Sequence, residues 1–202
     1  MEIVARLKSA YGADQPILLE EVKAVMSDYS TPHVFRFIKS AIESEELIRY
    51  DESVYYIPTT SFLGRSSLNP RKVMEKKYIN REGKTIGFYS GIGLLNAIGG
   101  TRQMPFAQEI VTNAERSRVR EVPLGKSRVI LRRPRCEITC DNKVILQVLE
   151  LCNKYIWDEE AKEAIAAFAK GNGITMRDLM AYAKYYPAKA IKNASEVLYD
   201  IA

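Results

Sequence analysis

A sharp helix start followed by two short strands is the feature that most limits what this chain can fold into. Thr31 can cap a helix, and Pro32 suits the first helical position because the N–H that proline lacks would have no partner there. From Pro32 to about Glu45, a turn of about 100° per residue separates an apolar arc from a polar one. The apolar arc contains Val34, Phe35, Ile38, Ala41 and Ile42, with Phe37 at its margin. The pattern predicts an amphipathic surface helix.

Two helices and a hairpin are predicted around this segment. Apolar spacing indicates helices over residues 2–11 and 17–26. Residues 47–50 and 54–57 read as strands, joined by a short polar turn and ended by Pro58. Three helices followed by a two-stranded wing are the order of a winged helix-turn-helix domain. A fold of this kind inserts its third helix into the major groove of DNA.

On this interpretation the polar arc of the third helix meets the duplex. Arg36 and Lys39 would contact guanine edges or phosphates, His33 and Ser40 would assist, and Arg49 would meet phosphate from the wing. The alternative is a winged helix used for protein contact. The net charge of −4 over residues 1–60 favours that alternative, because non-specific DNA affinity comes from phosphate neutralisation.

The charged residues divide the chain into three segments. Residues 1–60 carry 6 basic and 10 acidic side chains, residues 61–140 carry 16 and 6, and residues 141–202 carry 8 and 9. Such asymmetry predicts a central segment that meets an anionic partner. The alternative is a solvated basic face without a partner.

The central segment alternates basic clusters with short strands. A helix entered at Pro70 carries four cations, and strands are predicted at 85–89, 110–112 and 129–131 with a helix capped by Ser90. The residues predicted to contact phosphate or a partner are Arg71, Lys72, Lys76, Lys77, Arg132, Arg133 and Arg135. The Gly-rich fingerprints of dinucleotide and Walker-type sites are incomplete here.

Several short motifs follow one another in the order and spacing of a known family. They are Tyr55-Tyr56-Ile57-Pro58, Gly64-Arg65, Ser90-Gly91 with Leu94 and Asn96, Gly99, Thr101-Arg102-Gln103-Met104-Pro105, Val111-Thr112-Asn113, Arg116 and Arg132-Arg133-Pro134-Arg135. Over residues 1–140 the chain resembles the AbiEi antitoxins of type IV toxin–antitoxin (abortive infection) systems. The order of the motifs carries the resemblance.

The resemblance implies an antitoxin that is also a transcriptional autorepressor. The winged helix would bind inverted repeats in its own promoter, and the DNA-reading role would fall on Thr31, His33, Arg36, Lys39 and Ser40. The part that begins near Ser61 would counter a nucleotidyltransferase-like toxin, with or without direct contact. Half-sites about 10 base pairs apart would imply a dimer on the operator. The acidic first segment departs from this picture, and the cations at 71–77 could supply the missing attraction to DNA.

The fold class expected from these patterns is α+β. A winged helix-turn-helix domain (1–60) would be followed by a basic α+β antitoxin core (61–140) and a helical C-terminal part (141–202) packed on that core. An RNA- or protein-binding adaptor that acts through the basic central segment is the alternative function.

Other classes of protein are disfavoured. The single histidine, His33, lies far from the three cysteines, so we expect no metal site and no cofactor. Serine and cysteine have no second histidine to activate them, so we expect no enzyme; an enzyme acting on nucleic acid is the weaker third possibility. No apolar run approaches the roughly 18 residues of a membrane span. The odd cysteine count favours a cytoplasmic protein, as does an N-terminus without the basic start and continuous apolar stretch of a signal peptide.

Overall fold

Residues 2–62, 64–156 and 158–199 are described by the computed structural model of this chain. Helices and strands are mixed along the sequence, which confirms the predicted α+β class. The chain divides into two units, Met1–Lys77 and Tyr78–Ala202. These units differ from the three predicted segments, because residues 61–77 join the first unit. The strands of the central segment share one core with the C-terminal helices.

The first unit builds three helices around a small antiparallel sheet. Along the chain its first elements are α1 (Glu2–Tyr11), β1 (Ile17–Leu18), α2 (Leu19–Val25), α3 (Thr31–Glu43), β2 (Ile48–Asp51) and β3 (Val54–Tyr56). The strand order is β1-β3-β2, so the hairpin β2–β3 is extended by a strand from near the N-terminus. One face of each helix packs into a common apolar core.

Ile17 and Leu18 correct the prediction of a helix over 17–26. Both residues pair antiparallel with β3, and both side chains are buried. The helix begins only at Leu19, because the Glu21 carboxylate accepts a hydrogen bond from the Leu18 N–H (2.8 Å) and satisfies a donor of the first turn. Pairing with a distant strand therefore overrides the local helical periodicity.

Helix α3 is shifted slightly from its predicted bounds. It begins at Thr31, so Ser30 occupies the cap position and Pro32 lies in the first turn. It ends at Glu43 instead of about Glu45. The backbone φ of Glu45 is +58°, a value that a right-handed helix does not adopt, so the helix cannot continue through this residue.

The buried stripe of α3 is narrower than predicted. Val34, Ile38 and Ala41 are buried, as expected from their spacing. Phe35 is 44% exposed, which contradicts its assignment to the apolar arc. It lies at the edge of the stripe, and the Lys23 ammonium group sits 5.3 Å from the centre of its ring. A cation–π contact at the surface thus replaces core packing for this side chain.

Residues 60–79 contain a short hairpin and a helical segment. Their elements are β4 (Thr60–Ser61), β5 (Gly64–Arg65), α4 (Pro70–Met74) and a π-helical turn (Glu75–Ile79). The helix begins at Pro70 as predicted, because the Asn69 side chain accepts a hydrogen bond from the Arg71 N–H (2.9 Å).

The second unit contains a hairpin and a four-stranded sheet. The elements are β6 (Asn80–Arg81), β7 (Lys84–Thr85), β8 (Gly87–Ser90), α5 (Gly91–Ala97), β9 (Gln108–Thr112), β10 (Val119–Leu124) and β11 (Ser127–Arg132). The sheet order is β10-β11-β9-β8, with β9 and β11 parallel and the other pairs antiparallel. The predicted strand over 85–89 is divided at Ile86 between the hairpin and the sheet.

No strand is predicted between residues 112 and 127, yet β10 forms there. Five of its six side chains are exposed or half-exposed, so the segment lacks the apolar alternation that marks a strand. It lies at the edge of the sheet and is held by its full-length pairing with β11. Pairing with β11, and not the pattern of its own residues, makes this segment a strand.

The C-terminal helices and the sheet share one core. The helices are α6 (Lys143–Lys154), α7 (Glu159–Gly171), α8 (Met176–Ala181) and α9 (Ala188–Tyr199), with a 3₁₀ turn at Ala183–Tyr185. They confirm the helical reading of this part of the sequence. In α6 every residue from Ile145 to Cys152 is buried, since a helix that is apolar on nearly all sides packs against neighbours all round. Asp158 caps α7, and a capping box formed by Thr175 and Asp178 begins α8.

The described ranges hold neither a membrane-spanning helix nor a cluster of metal-ligating side chains. Within residues 2–62, 64–156 and 158–199, no helix is both long and apolar enough to cross a bilayer. The same ranges contain no group of three or more His, Cys, Asp or Glu side chains placed to hold a metal ion.

Candidate nucleic-acid interface

The exposed face of α3 gathers the residues predicted to read DNA. The side chains of Thr31, His33, Arg36, Lys39 and Ser40 are all exposed. The buried stripe through Ile38 faces the core of the unit instead. Helical periodicity therefore separates the anchoring residues from the polar ones.

Few local contacts compete for these side chains. The His33 Nδ1 lies 2.8 Å from the Ser30 hydroxyl oxygen. The Lys39 ammonium lies 3.8 Å from Glu43, an exposed pair of the kind that contributes only a few tenths of a kcal/mol. Within the part of the chain that the structure describes, the Arg36 guanidinium has no hydrogen bond or ion pair. It is the cation of this face that is most available to a ligand.

Arg49 spans its own hairpin turn. Its Nε donates a hydrogen bond to the Asp51 carbonyl (3.3 Å), and its Nη2 donates one to the Glu52 carbonyl (3.1 Å). The side chain is exposed, so its predicted phosphate contact remains a prediction. These bonds fix the turn and direct the guanidinium along it.

Lys76 and Lys77 neutralise acids of the first unit. The Lys76 ammonium lies 2.8 Å from the Glu21 carboxylate and also donates a hydrogen bond to the Pro16 carbonyl (2.7 Å). The Lys77 ammonium lies 2.8 Å from Asp51. Burial by itself would raise the pKa of Asp51, but the hydrogen bonds from Lys77 and the Glu52 backbone, together with the charges of Lys77 and Arg49, outweigh burial and lower the pKa. Both lysines thus have a structural role, and their predicted contact with DNA phosphate gains no support.

Arg71 and Lys72 remain at the surface. Arg71 forms an exposed pair with Glu75 (3.0 Å), four residues further along the chain. Lys72 is exposed and helps to lower the pKa of Asp14, after the hydrogen bonds from Ser66 and Thr59. With these cations included, the first unit has 11 basic and 11 acidic residues, so it is neutral.

The second unit carries the whole net charge of the chain. It contains 19 basic and 14 acidic residues, which accounts for the net charge of +5. Three predicted contact residues, Arg132, Arg133 and Arg135, line one cavity of about 500 Å³ in this unit. The other lining residues are Val111, Arg118, Pro134, Glu150, Lys154 and Tyr185. The fold therefore collects cations from a loop, a strand and a helix at one place.

Two buried carboxylates orient the cations of this cavity. Glu109 pairs with Arg132 at 2.8 Å. Glu150 lies 3.2 Å from Arg135 and 3.3 Å from Lys154. Both carboxylates belong to residues that are less than 9% exposed. The sequence analysis did not predict a role for these two carboxylates. The signal that could have found them is an acidic residue within an otherwise apolar segment, which applies to Glu109 in β9 and to Glu150 in α6.

A third buried carboxylate shapes the turn before β10. Glu115 accepts hydrogen bonds from the backbone N–H groups of Arg116 (2.9 Å) and Ser117 (2.8 Å), and from Arg120 Nε (2.9 Å). Burial raises the pKa of Glu115, but these bonds outweigh it and the pKa is lowered overall. The carboxylate therefore fixes the arginine-rich segment that leads from β9 to β10.

Replacing Glu115 with glutamine should destabilise the second unit by about 1–2 kcal/mol at pH 7, because charged acceptors bind several donors more strongly than an amide. A carboxyl group with a lowered folded-state pKa stabilises the fold above its unfolded pKa, about 4.3. The difference between Glu115→Gln and the native chain should therefore narrow as pH falls below 5. Urea unfolding at pH 7 and pH 4 measures it.

Glu121→Gln is the matched control, since Glu121 forms an exposed pair with Arg128. Its effect should stay within about 0.5 kcal/mol. An equal loss for both variants, or a Glu115 effect that does not change with pH, would contradict the role assigned to the buried carboxylate.

Compared with known proteins, the chain matches no family model and no curated protein. The two surfaces described above, the exposed face of α3 and the arginine-lined cavity, therefore rest on geometry and charge. The likeness to AbiEi antitoxins stays a prediction from short motifs.

Proposed function

We propose that this chain is a DNA-binding transcriptional autorepressor in which α3 reads the operator. The observation that carries the proposal is the division of α3 into a buried stripe and an exposed face with Thr31, His33, Arg36, Lys39 and Ser40. The order of helices, the antiparallel hairpin β2–β3 and the added strand β1 support the proposal of a winged helix. On this basis the hairpin is the wing.

The dimensions of the elements suit this role. The major groove is about 12 Å wide and admits one α-helix. Arg36 could offer two parallel donors to a guanine edge, and Lys39 a point charge to guanine or phosphate. The first unit is neutral, so it lacks the strong phosphate attraction typical of non-specific binders. Affinity should therefore depend on a few base contacts, and it should rise if two chains bind an inverted repeat together.

The antitoxin half of the proposal comes from the resemblance to AbiEi proteins. It assigns the chain a functional partner, a nucleotidyltransferase-like toxin, and assigns neutralisation to the part after about Ser61. Most of that part, Tyr78–Ala202, forms a unit with its own core, and this unit carries the net positive charge of the chain. Operator binding and neutralisation would then depend on different residues.

Removing both cations of the reading face should weaken operator binding. For Arg36→Ala combined with Lys39→Ala we expect a loss of at least tenfold, because a good bidentate base contact is worth about 1–3 kcal/mol. Fluorescence anisotropy with a labelled fragment from upstream of the gene, at fixed salt, measures the affinity. In cells that express the neighbouring toxin, the same variant should still restore growth.

The matched control is Lys8→Ala with Lys170→Ala. Both lysines are exposed and lie on helices other than α3, and their replacement removes the same total charge as the Arg36 and Lys39 variant. This variant should bind the operator within about twofold of the native chain, since distant exposed charges are largely screened. Equal losses of operator affinity for the two double variants, or no loss for Arg36→Ala with Lys39→Ala, would contradict the assignment of DNA binding to the exposed face of α3.

A second candidate function is an adaptor that captures RNA or an acidic protein. The concentration of net charge in the second unit favours it, together with the cavity lined by arginines. Under this alternative the native chain would not prefer its own upstream DNA to unrelated DNA. Charge reversal at Arg118 and Arg133 would then abolish capture of the partner.

A further inference from the structure

We propose that the cavity lined by Arg118, Arg132, Arg133, Arg135 and Tyr185 binds the phosphoryl groups of a nucleotide. This inference concerns the second unit and does not rest on operator recognition by α3. Its first support is that five cationic side chains converge on about 500 Å³. Small-ligand sites span about 300–1,000 Å³, so the space suits one nucleotide.

The cavity has a charge excess that its own carboxylates do not cancel. Arg132 is paired with Glu109, while Arg135 and Lys154 share Glu150. Among the described residues, Arg118 and Arg133 have no acidic partner. Five cations against two carboxylates leave three positive charges in excess. A concave wall concentrates this field, so a multiply charged anion is the ligand that it favours.

The two buried carboxylates prepare the site for such a ligand. Each holds a guanidinium group before any ligand arrives, at 2.8 Å for Arg132 and 3.2 Å for Arg135. Arg135 also donates a hydrogen bond to the Tyr185 carbonyl (3.3 Å). Its guanidinium carbon lies over the Tyr186 ring, 5.0 Å from the ring centre. Cations that are already ordered lose little conformational entropy on binding. Arg118 and Arg133 are then left to close on the phosphates.

The aromatic residue of the lining indicates a nucleotide instead of a simple phosphate. Tyr185 is 37% exposed. Its ring lies 6.4 Å from that of Tyr182, and its backbone is tied to Arg135. The Lys184 ammonium lies over one face of the same ring, 5.0 Å from its centre. A base can stack on the opposite face of such an exposed ring. Guanidinium groups match phosphoryl oxygens by paired donors, while Tyr185 would distinguish a nucleotide from inorganic phosphate.

Calorimetric titration of the full chain with ATP and with inorganic triphosphate tests the proposal. We expect saturable binding at one site per chain, weakened by salt, with ATP bound more tightly. Arg118→Ala combined with Arg133→Ala should lower both affinities at least thirtyfold. These residues make no ion pair within the described part of the chain, so the fold should tolerate the change. Tyr185→Leu should lower the affinity for ATP alone, and Tyr185→Phe should restore it.

The matched control is Arg102→Ala with Arg177→Ala, two exposed arginines of the same unit that do not line the cavity. It should bind ATP within twofold of the native chain. The proposal is overturned if neither anion binds at millimolar concentration, or if the control loses as much affinity as the cavity variant. It is also overturned if hexaglutamate binds more tightly than ATP, which would identify an acidic peptide site.

Two sources of the nucleotide are separated by a further titration. Octauridylate with a 5′-phosphate is compared with octauridylate that ends in a 5′-hydroxyl. Tighter binding of the phosphorylated strand than of ATP would assign the site to an RNA end, while tighter binding of ATP would assign it to a free nucleotide. Operator binding by the Arg118 and Arg133 variant should be unchanged. Failure of this site and failure of the repressor proposal are thus distinguishable.

Discussion

Replacing Gly87 with alanine is expected to cost the second unit about 3 kcal/mol or more of its free energy of unfolding. Gly87 begins strand β8 and pairs with Thr112. A β-carbon at this position would lie 2.2 Å from the Tyr78 carbonyl oxygen and 2.8 Å from that of Val111. Both atoms belong to the backbone, so no side-chain rotation relieves the contact. Strand β8 would have to move away from both strand β9 and the π-helical turn that contains Tyr78.

Gly171→Ala provides the matched control for this effect. Gly171 ends helix α7, has an ordinary φ, and a β-carbon there would meet nothing within 4 Å. The same substitution should leave stability unchanged or raise it by about 0.5 kcal/mol, because alanine loses less backbone entropy than glycine. Chemical denaturation followed by circular dichroism compares the two. Native-like stability of Gly87→Ala would contradict the close backbone approach.

Leu149→Ala is expected to cost about 3–5 kcal/mol. Leu149 is fully buried in the middle of α6, which packs against the sheet and against α7 and α9. Truncation removes three carbon atoms from a core that α6 shares with α5, α7, α8, α9 and β8. The surrounding helices cannot close the space fully, so a cavity term adds to the lost transfer free energy.

Met180→Ala is the comparison for this core substitution. Met180 lies on α8 and is 52% exposed. Its replacement should change the free energy of unfolding by no more than about 0.5 kcal/mol. Thermal and urea unfolding of both variants measure the contrast. A small loss for Leu149→Ala would mean that the shared core of sheet and helices is packed loosely at its centre.

The distribution of charge bears on both proposals. The first unit is neutral because residues 65–77 bring in cations that pair with its acids, among them Lys76 with Glu21 and Lys77 with Asp51. The net charge of −4 over residues 1–60 therefore depends on ending the segment at residue 60, since the unit that extends to Lys77 is neutral. Sequence specificity at α3 and anion capture in the second unit are physically separable, since different cations carry them.

Local periodicity predicted the helices well. The helix over residues 2–11 and the start of the helix at Pro70 follow from apolar spacing and caps, because neighbouring side chains decide such helices. The same reasoning placed Ile17 and Leu18 in a helix and did not predict β10. The two errors have different causes. Ile17 and Leu18 pair with β3, which is distant in sequence, and no local pattern records such a partner. Strand β10 pairs with the adjacent strand β11, but its mostly exposed side chains lack the apolar alternation that marks a strand.

The candidate surfaces divide in the same way. The polar face of α3 follows from the sequence alone, because rotation about one helix axis settles which side chains are together. The arginine cavity does not, since Arg118, Arg133 and Lys154 come from three different places along the chain. Only the tertiary structure brings them together, and only burial gives Glu109 and Glu150 the role of orienting the cations around them.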